Sequence, residues 1–292
     1  MQFPDRPWPT GLAEHPEPLV RRVLAPNPSA FSFTGTQTYL VGAGAEVAVI
    51  DPGPDEAEHI AALLAAVGDA RVSAIICTHT HRDHSPAAAP LAAATGAPVI
   101  GCAFLSLDDD GPRSDAAFDT SYAPDRVLAD GEQLTGPGWT LTAVATPGHT
   151  SNHLCFALEE SGALFTGDHV MGWSTTVVSP PDGDMTAYMA SLQLLQTRED
   201  KVYYPAHGPP VTKPRQLVRG MIGHRRQREN QILKLLGEGT GIIADMVPQM
   251  YKGVDRQLWP AAGRSVLAHL IDLEQRGSVV RGGETWSITT RS

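Results

Sequence analysis

A chain of 292 residues with 42% apolar and 18% charged residues can bury a sizeable core, which excludes a disordered or collagen-like chain and fits one large domain, with or without a small second one. The net charge of −10 hides a split: residues 1–212 carry 9 Lys/Arg against 25 Asp/Glu, and residues 213–292 carry 13 against 7. The basic tail hints at an acidic partner and is equally compatible with ordinary solubility.

The N-terminus, MQFPDRPWPTGLAEHPEP, is Pro-rich and acidic and lacks the basic start and apolar stretch of a secretory signal, so a cytoplasmic location is expected. No apolar run approaches the roughly 18 residues that span a bilayer, and no membrane partner is expected. TQTYLVG and EVAVIDPGP read as strands on either side of a GAGA turn, and DEAEHIAALLAAVGD as a helix. RVSAIICTH, HSPAAAPLAAATG and APVIGC continue as strand, helix and strand, a βαβ rhythm with parallel pairing. Beyond a loop around LDDDGPRSD, the stretches DRVLADGEQL, WTLTAVATPGH and HLCFALEESGALFTGDHV add strands joined by short turns. DMTAYMASLQLLQTRED is an amphipathic helix with Met185, Tyr188, Met189, Leu192 and Leu195 facing the core, and KVYYPAHG is a last strand. Cys77, Cys102 and Cys155 lie in apolar runs without CxxC spacing and read as reduced core residues.

After GPPVTKPR the texture changes to helices over 216–236, 241–251 and 259–276, then a hairpin in which Val279, Val280, Trp286 and Ile288 flank Gly282-Gly283. That is the outline of a winged helix. The expected division is therefore an α/β domain over 1–210 and a winged-helix-like domain over 215–292.

The chemistry concentrates in four strand-end motifs. In THTHRDH, His79 and His81 are two apart in an extended segment and point the same way, while Asp83 and His84 fall where the loop turns. His149 in TPGHT, Asp168 in TGDH and His207 in PAHG each follow an apolar run and sit beside a glycine. Five imidazoles and two carboxylates suit zinc best, with iron or manganese as alternatives. Divided three and three with one carboxylate shared, they leave positions open for water, the mark of a catalytic site.

In this order the four motifs resemble the ligand motifs of the metallo-β-lactamase superfamily, and IDPGP is similar to that family's first motif, whose Asp, here Asp51, supports the metal loop. The resemblance covers about residues 35–208. It implies an αββα sandwich with two Zn²⁺: His79, His81 and His149 on one, Asp83, His84 and His207 on the other, Asp168 between them. A carboxylate at Asp168 disfavours true β-lactamase activity, and the 39 positions from Asp168 to His207 are too few for the inserted domain of the RNA-processing nucleases. GTQTYLVG, TGDHVMGWSTTVV and HRRQRENQILKLL extend the resemblance over nearly the whole chain to the β-lactamase-like protein 2 family, which implies a single-stranded-RNA endoribonuclease with a C-terminal winged helix. The acidic first 212 residues depart from what a polyanion requires.

Around this site Asp83 is expected to orient the attacking water as well as bind metal. His153 is read either as a group that supports a ligand or meets the substrate oxyanion, or as a packed strand-end histidine. His169 is expected to support the loop, and His15, His59, His224 and His269 to be bystanders. Thr175 and Thr176 are candidates for substrate oxygens, and Arg225 and Arg226, with Arg228 beside them, for phosphates. A small molecule or single-stranded RNA is the expected substrate, and a second copy of the chain is a candidate partner. Two other functions remain open: a thioesterase similar to glyoxalase II, whose tail lacks the hairpin, and a winged-helix nucleic-acid-binding regulator with a vestigial metal domain. A persulfide dioxygenase would use the first triad alone, which the intact second set argues against.

Overall fold

The computed structural model describes residues 9–105 and 118–289. A seven-stranded sheet runs in chain order through β1 (Ala13–Glu17), β2 (Val20–Leu24), β3 (Gln37–Val41), β4 (Glu46–Ile50), β5 (Arg71–Cys77), β6 (Val99–Gly101) and β7 (Arg126–Val127). Strands β1 to β4 pair antiparallel; from β4 onward the pairing is parallel, because helices α1 (Ala57–Val67) and α2 (Ala88–Thr95) carry the chain back between β4, β5 and β6. The second sheet has the order β12-β11-β10-β9-β8, built from β8 (Gln133–Gly136), β9 (Trp139–Ala145), β10 (Leu154–Leu158), β11 (Ala163–Gly167) and β12 (Val202–Pro205). Helix α3 (Met185–Thr197) makes the crossover from β11 to the parallel β12. Mixed sheets with helices outside them are the α/β architecture expected.

Alternate residues of β10 serve two cores, as a period of two requires. Leu154, Phe156 and Leu158 pack between the sheets with Tyr39, Ile76, Trp139 and Phe165. Cys155 and Ala157 face outward onto α3, where Tyr188, Leu192 and Leu195 meet them as the helical stripe predicts. All three cysteines are buried and free. The hairpin β1–β2 is not legible in the Pro-rich N-terminal stretch, because Arg22 interrupts the apolar pattern; its buried guanidinium donates to Glu14 and to Gln37 Oε1. The LDDDGPRSD loop lies outside the described residues.

Helix α4 (Pro214–Gly237) is about 36 Å long at 1.5 Å per residue, and its two halves lie in different cores. Val218, Met221 and Ile222 pack on α3 and the outer face of the second sheet. Ile232, Leu235 and Leu236 pack with α5 (Ile243–Met250), α6 (Trp259–Gln275) and the hairpin of β13 (Val279–Gly282) and β14 (Thr285–Ile288). Among the described residues no helix is long and apolar enough to cross a membrane.

Two expected outcomes follow from this packing. Met221→Ala leaves a cavity between α3 and α4 and costs about 2–5 kcal/mol, read from urea denaturation midpoints. His59 is buried against Thr38 Oγ1 at 3.0 Å, and burial lowers its pKa to about 4, so it is neutral in the fold while the unfolded chain protonates near the ordinary 6.5. Its contribution is present above that value and is lost as pH falls from 6.5 towards 4. His59→Gln is expected to flatten the acid slope of stability measured between pH 7.5 and 4.5.

Candidate metal centre

Every group of the centre hangs from a strand end at one edge of the two sheets: Asp51 after β4, Thr78 to His84 after β5, Thr146 to His149 after β9, Asp168 after β11 and His207 after β12. Asp51 turns the chain in the left-handed region at φ 49°. Its carboxylate then faces the β5 loop, accepting from the Thr78 amide at 2.8 Å, the Thr78 hydroxyl at 2.9 Å and His84 Nδ1 at 3.0 Å. Gly167 is needed at the crossing of two of these loops. A Cβ there would come within 2.6 Å of Thr78 Oγ1 and 2.8 Å of His153 Nε2.

Hydrogen bonding fixes which ring nitrogen of each histidine is bare. The Thr78 hydroxyl gives its proton to Asp51, so it accepts from His79 Nδ1 at 3.0 Å. His84 Nδ1 donates to Asp51, His149 Nδ1 to the Val177 carbonyl at 2.7 Å, and His207 Nδ1 to the Gly35 carbonyl at 3.2 Å. In its neutral form each of these imidazoles holds its one proton on Nδ1, so Nε2 is the atom left to meet a cation. His79 Nε2 and His149 Nε2 lie 3.0 and 3.1 Å from His81 Nδ1, so three ring nitrogens converge on one point.

The donors form two groups, His79, His81, His149 and Asp168 in one and Asp83, His84 and His207 in the other, each able to hold an ion. Asp168 faces both: Oδ2 lies 3.6 Å from His149 Nε2, and Oδ1 lies 3.2 Å from His207 Nε2 and 3.6 Å from His84 Nε2. Asp83 Oδ2 lies 3.2 Å from His207 Nε2 and 3.5 Å from His84 Nε2. His84 Nε2 and Asp168 Oδ1 are buried without a hydrogen-bond partner among the described residues. Burial, reinforced by the neighbouring imidazoles, holds His79 well below the ordinary histidine pKa and His81 at about 3, so both are neutral donors. Burial opposes charge on His84 too, yet Asp83, Asp168 and Asp51 raise it well above the ordinary value. The pocket is a well of negative potential that selects a cation.

The remaining predicted residues divide. His153 stacks on His79 with centroids 5.1 Å apart and is held by Thr146 Oγ1 at 2.9 Å; His169 is buried behind it, 4.8 Å from the Tyr188 ring. Thr176 is turned inward, its hydroxyl 2.8 Å from the Asp168 carbonyl and 3.0 Å from that of His169. Arg225 is buried and donates to the Thr176 carbonyl. These two therefore support the loop rather than face substrate, because their donors are used inside the fold. Thr175 and Arg226 are exposed, and Thr175 lies off the cavity wall.

A cavity of about 340 Å³ opens beside His81, Asp83, His149 and Asp168. Its walls include Ala30, Phe31, Pro54, Met171, Trp173 and Val177, and Arg82 is the one cation lining it among the described residues. Phe33 stacks on Trp173 at 4.7 Å and fixes one wall. The 27–32 loop escapes sequence reasoning, since nothing in its own residues says it folds over motifs about 50 positions on, and Trp173 sits in TGDHVMGWSTTVV with no local signal that it lines a cavity.

Residues 32–207 match the metallo-beta-lactamase superfamily, and residues 243–286 match the beta-lactamase associated winged helix domain. The chain is 37% identical over 224 residues to an Aspergillus fumigatus protein named atrochrysone carboxyl ACP thioesterase, covering 75% of this chain and 65% of that one. It is 32% identical over 271 residues to the Drosophila melanogaster beta-lactamase-like protein 2 homolog, covering 89% of each. A beta-lactamase domain protein from Burkholderia ambifaria shares the fold, with a TM-score of 0.80 at 20% identity over 98% of this chain and 97% of that one.

Asp51→Asn replaces one accepting oxygen by an amide donor that faces protons already present. Metal affinity is expected to fall 10–100-fold, read by competition with a chromophoric chelator.

Proposed function

The chain belongs to the metallo-beta-lactamase superfamily and is a metal-dependent hydrolase, and from that premise we propose that it is a dinuclear zinc enzyme cleaving a carboxylic thioester with an apolar or aromatic acyl group. His79, His81 and His149 would hold one ion and Asp83, His84 and His207 the other, with Asp168 facing both sets. Bound there, the ions would supply an activated water and polarise the carbonyl under attack. The observation that carries the substrate reading is the cavity wall, whose Ala30, Phe31, Pro54, Met171, Trp173 and Val177 can desolvate an acyl chain beside the polar Asn27, Ser29, Ser32 and Ser174, while among the described residues Arg82 is the single cation it offers to a sugar-phosphate backbone.

Asp83, whose side chain is 28% exposed, takes the proton of the attacking water and orients it. Phe31, Met171 and Trp173 hold the acyl group beside it. Water's oxygen bonds to the acyl carbon, the carbon–sulfur bond breaks, and the products are a carboxylate, a proton and a thiol. His153, packed behind His79, holds that ligand's ring in place.

A second reading, cleavage of single-stranded RNA, is supported by the likeness to the beta-lactamase-like protein 2 homolog over 89% of both chains and by the basic tail. The regulator reading loses ground, since a vestigial site has no reason to keep four imidazoles tautomerically aligned. We divide the chain into a catalytic unit, 1–210, and a winged-helix unit, 215–292, whose α4 packs back onto α3 through Val218, Met221 and Ile222. Three buried free thiols fit a reducing compartment, and the cytoplasm is the setting we propose.

The test sets an aromatic acyl thioester on a carrier-protein arm, a glutathione thioester and a single-stranded RNA oligonucleotide against zinc-loaded protein, with Asp168→Ala as control. Turnover of the aromatic thioester that drops at least 10³-fold in the control is expected. RNA cleavage lost in the control, with every thioester intact, would replace this reading by the second.

A further inference from the structure

We infer that Arg225 is a positioning residue of the metal centre, through which helix α4 holds two of the seven ligands in place; the inference rests on the metal reading above. Arg225 is only 4% exposed and lies in the core between α3 and α4. A guanidinium in such a place ordinarily has a carboxylate, yet among the described residues none lies within the 4.0 Å of an ion pair. Its partners are a backbone carbonyl, that of Thr176, and the face of Tyr188, with 5.2 Å from the guanidinium carbon to the ring centroid.

Both partners lead to the centre. The Thr176 hydroxyl reaches the Asp168 and His169 carbonyls at 2.8 and 3.0 Å, and the Tyr188 hydroxyl donates to the His169 carbonyl at 3.1 Å. The backbone that aims the Asp168 carboxylate is thus clamped from two sides, and Arg225 braces both clamps. The next residue after Thr176 closes the argument: the Val177 carbonyl accepts from His149 Nδ1 at 2.7 Å and so sets the tautomer of that ligand. One arginine fixes the peptide segment from which Asp168 and His149 are both oriented. Arg225 lies between the two matched family regions, 32–207 and 243–286, so neither region by itself includes it.

The experiment measures affinity for both ions by chelator competition, and the d–d spectrum of the Co²⁺-substituted full-length protein, in Arg225→Gln, Arg225→Lys and Thr176→Val, with Met221→Ala as a control for α3–α4 packing alone. Expected are a 10–100-fold loss of affinity at one ion and an altered spectrum in Arg225→Gln and Thr176→Val, with partial recovery in Arg225→Lys. A double variant, Arg225→Gln with Thr176→Val, is expected to lose less than the product of the single losses, since both residues act on one loop. Wild-type affinity and spectrum in both Arg225→Gln and Thr176→Val overturn the inference, as does an equal loss in Met221→Ala. A wild-type protein that binds no metal would instead sink the metal reading itself, which separates the two failures.

Discussion

Which nitrogen of each imidazole carries the proton is the constraint on which the centre rests. Four acceptors of different kinds, the Asp51 carboxylate, the Thr78 hydroxyl and the Val177 and Gly35 carbonyls, hold protons on Nδ1 and leave Nε2 bare. The bare Nε2 atoms of His79 and His149 both face His81 Nδ1, at 3.0 and 3.1 Å. Asp51 adds a left-handed backbone, which costs a non-glycine residue about 1–2 kcal/mol. A cation that binds this folded arrangement and not the unfolded chain would link metal affinity to folding stability. The well of negative potential made by Asp83, Asp168 and Asp51 is the other side of the same arrangement.

Such a centre needs five strand ends at one edge, and the sheets supply them through register. Leu154, Phe156 and Leu158 point into the inter-sheet core while Cys155 and Ala157 point to α3, so a slip by one residue would exchange the two faces. Both faces being buried, no slipped register is tolerated along β10. The loop that follows each strand therefore starts at a fixed height. Short loops do the rest: only Thr78 separates the last residue of β5 from His79, and Asp168 follows β11 directly.

The mixed-sheet fold was legible, and so were the seven residues that the structure brings together, because their signals are local. Period-two and helical patterns are set within ten residues, and each ligand sits within its own motif at a strand end. What failed is what depends on direction or on distance along the chain. Arg225, Arg226 and Arg228 read as one basic cluster, but helical spacing separates them: Arg225 is buried against Tyr188, Arg228 lies half-buried over Tyr251 at 4.4 Å, and Arg226 is exposed. Thr176 and Thr175 divide for the same reason. The 27–32 loop, which closes the cavity, is placed by β2 and β3 pairing, and no residue in it announces the motif it will face.

The charge split along the chain now has an intramolecular account. An excess of arginine in residues 213–292 suggests an acidic partner only if those side chains face outward. Arg225 donates to the Thr176 carbonyl, and Arg264 to the Pro180 carbonyl and, at 3.2 Å, to Ser179 Oγ, so α4 and α6 are fastened to the loop that follows Asp168. Arg228 donates to the Met250 carbonyl at 2.7 Å, and Arg276 pairs with Asp272 and Glu229 at 2.6 Å. Guanidinium groups suit this work, because several fixed donors on a long stem can satisfy the carbonyls of a loop with no regular structure. Arg225 and Arg264 are thereby used in fastening the tail to that loop, and Arg228 and Arg276 in contacts within the tail, so these four of its basic residues are engaged inside the fold.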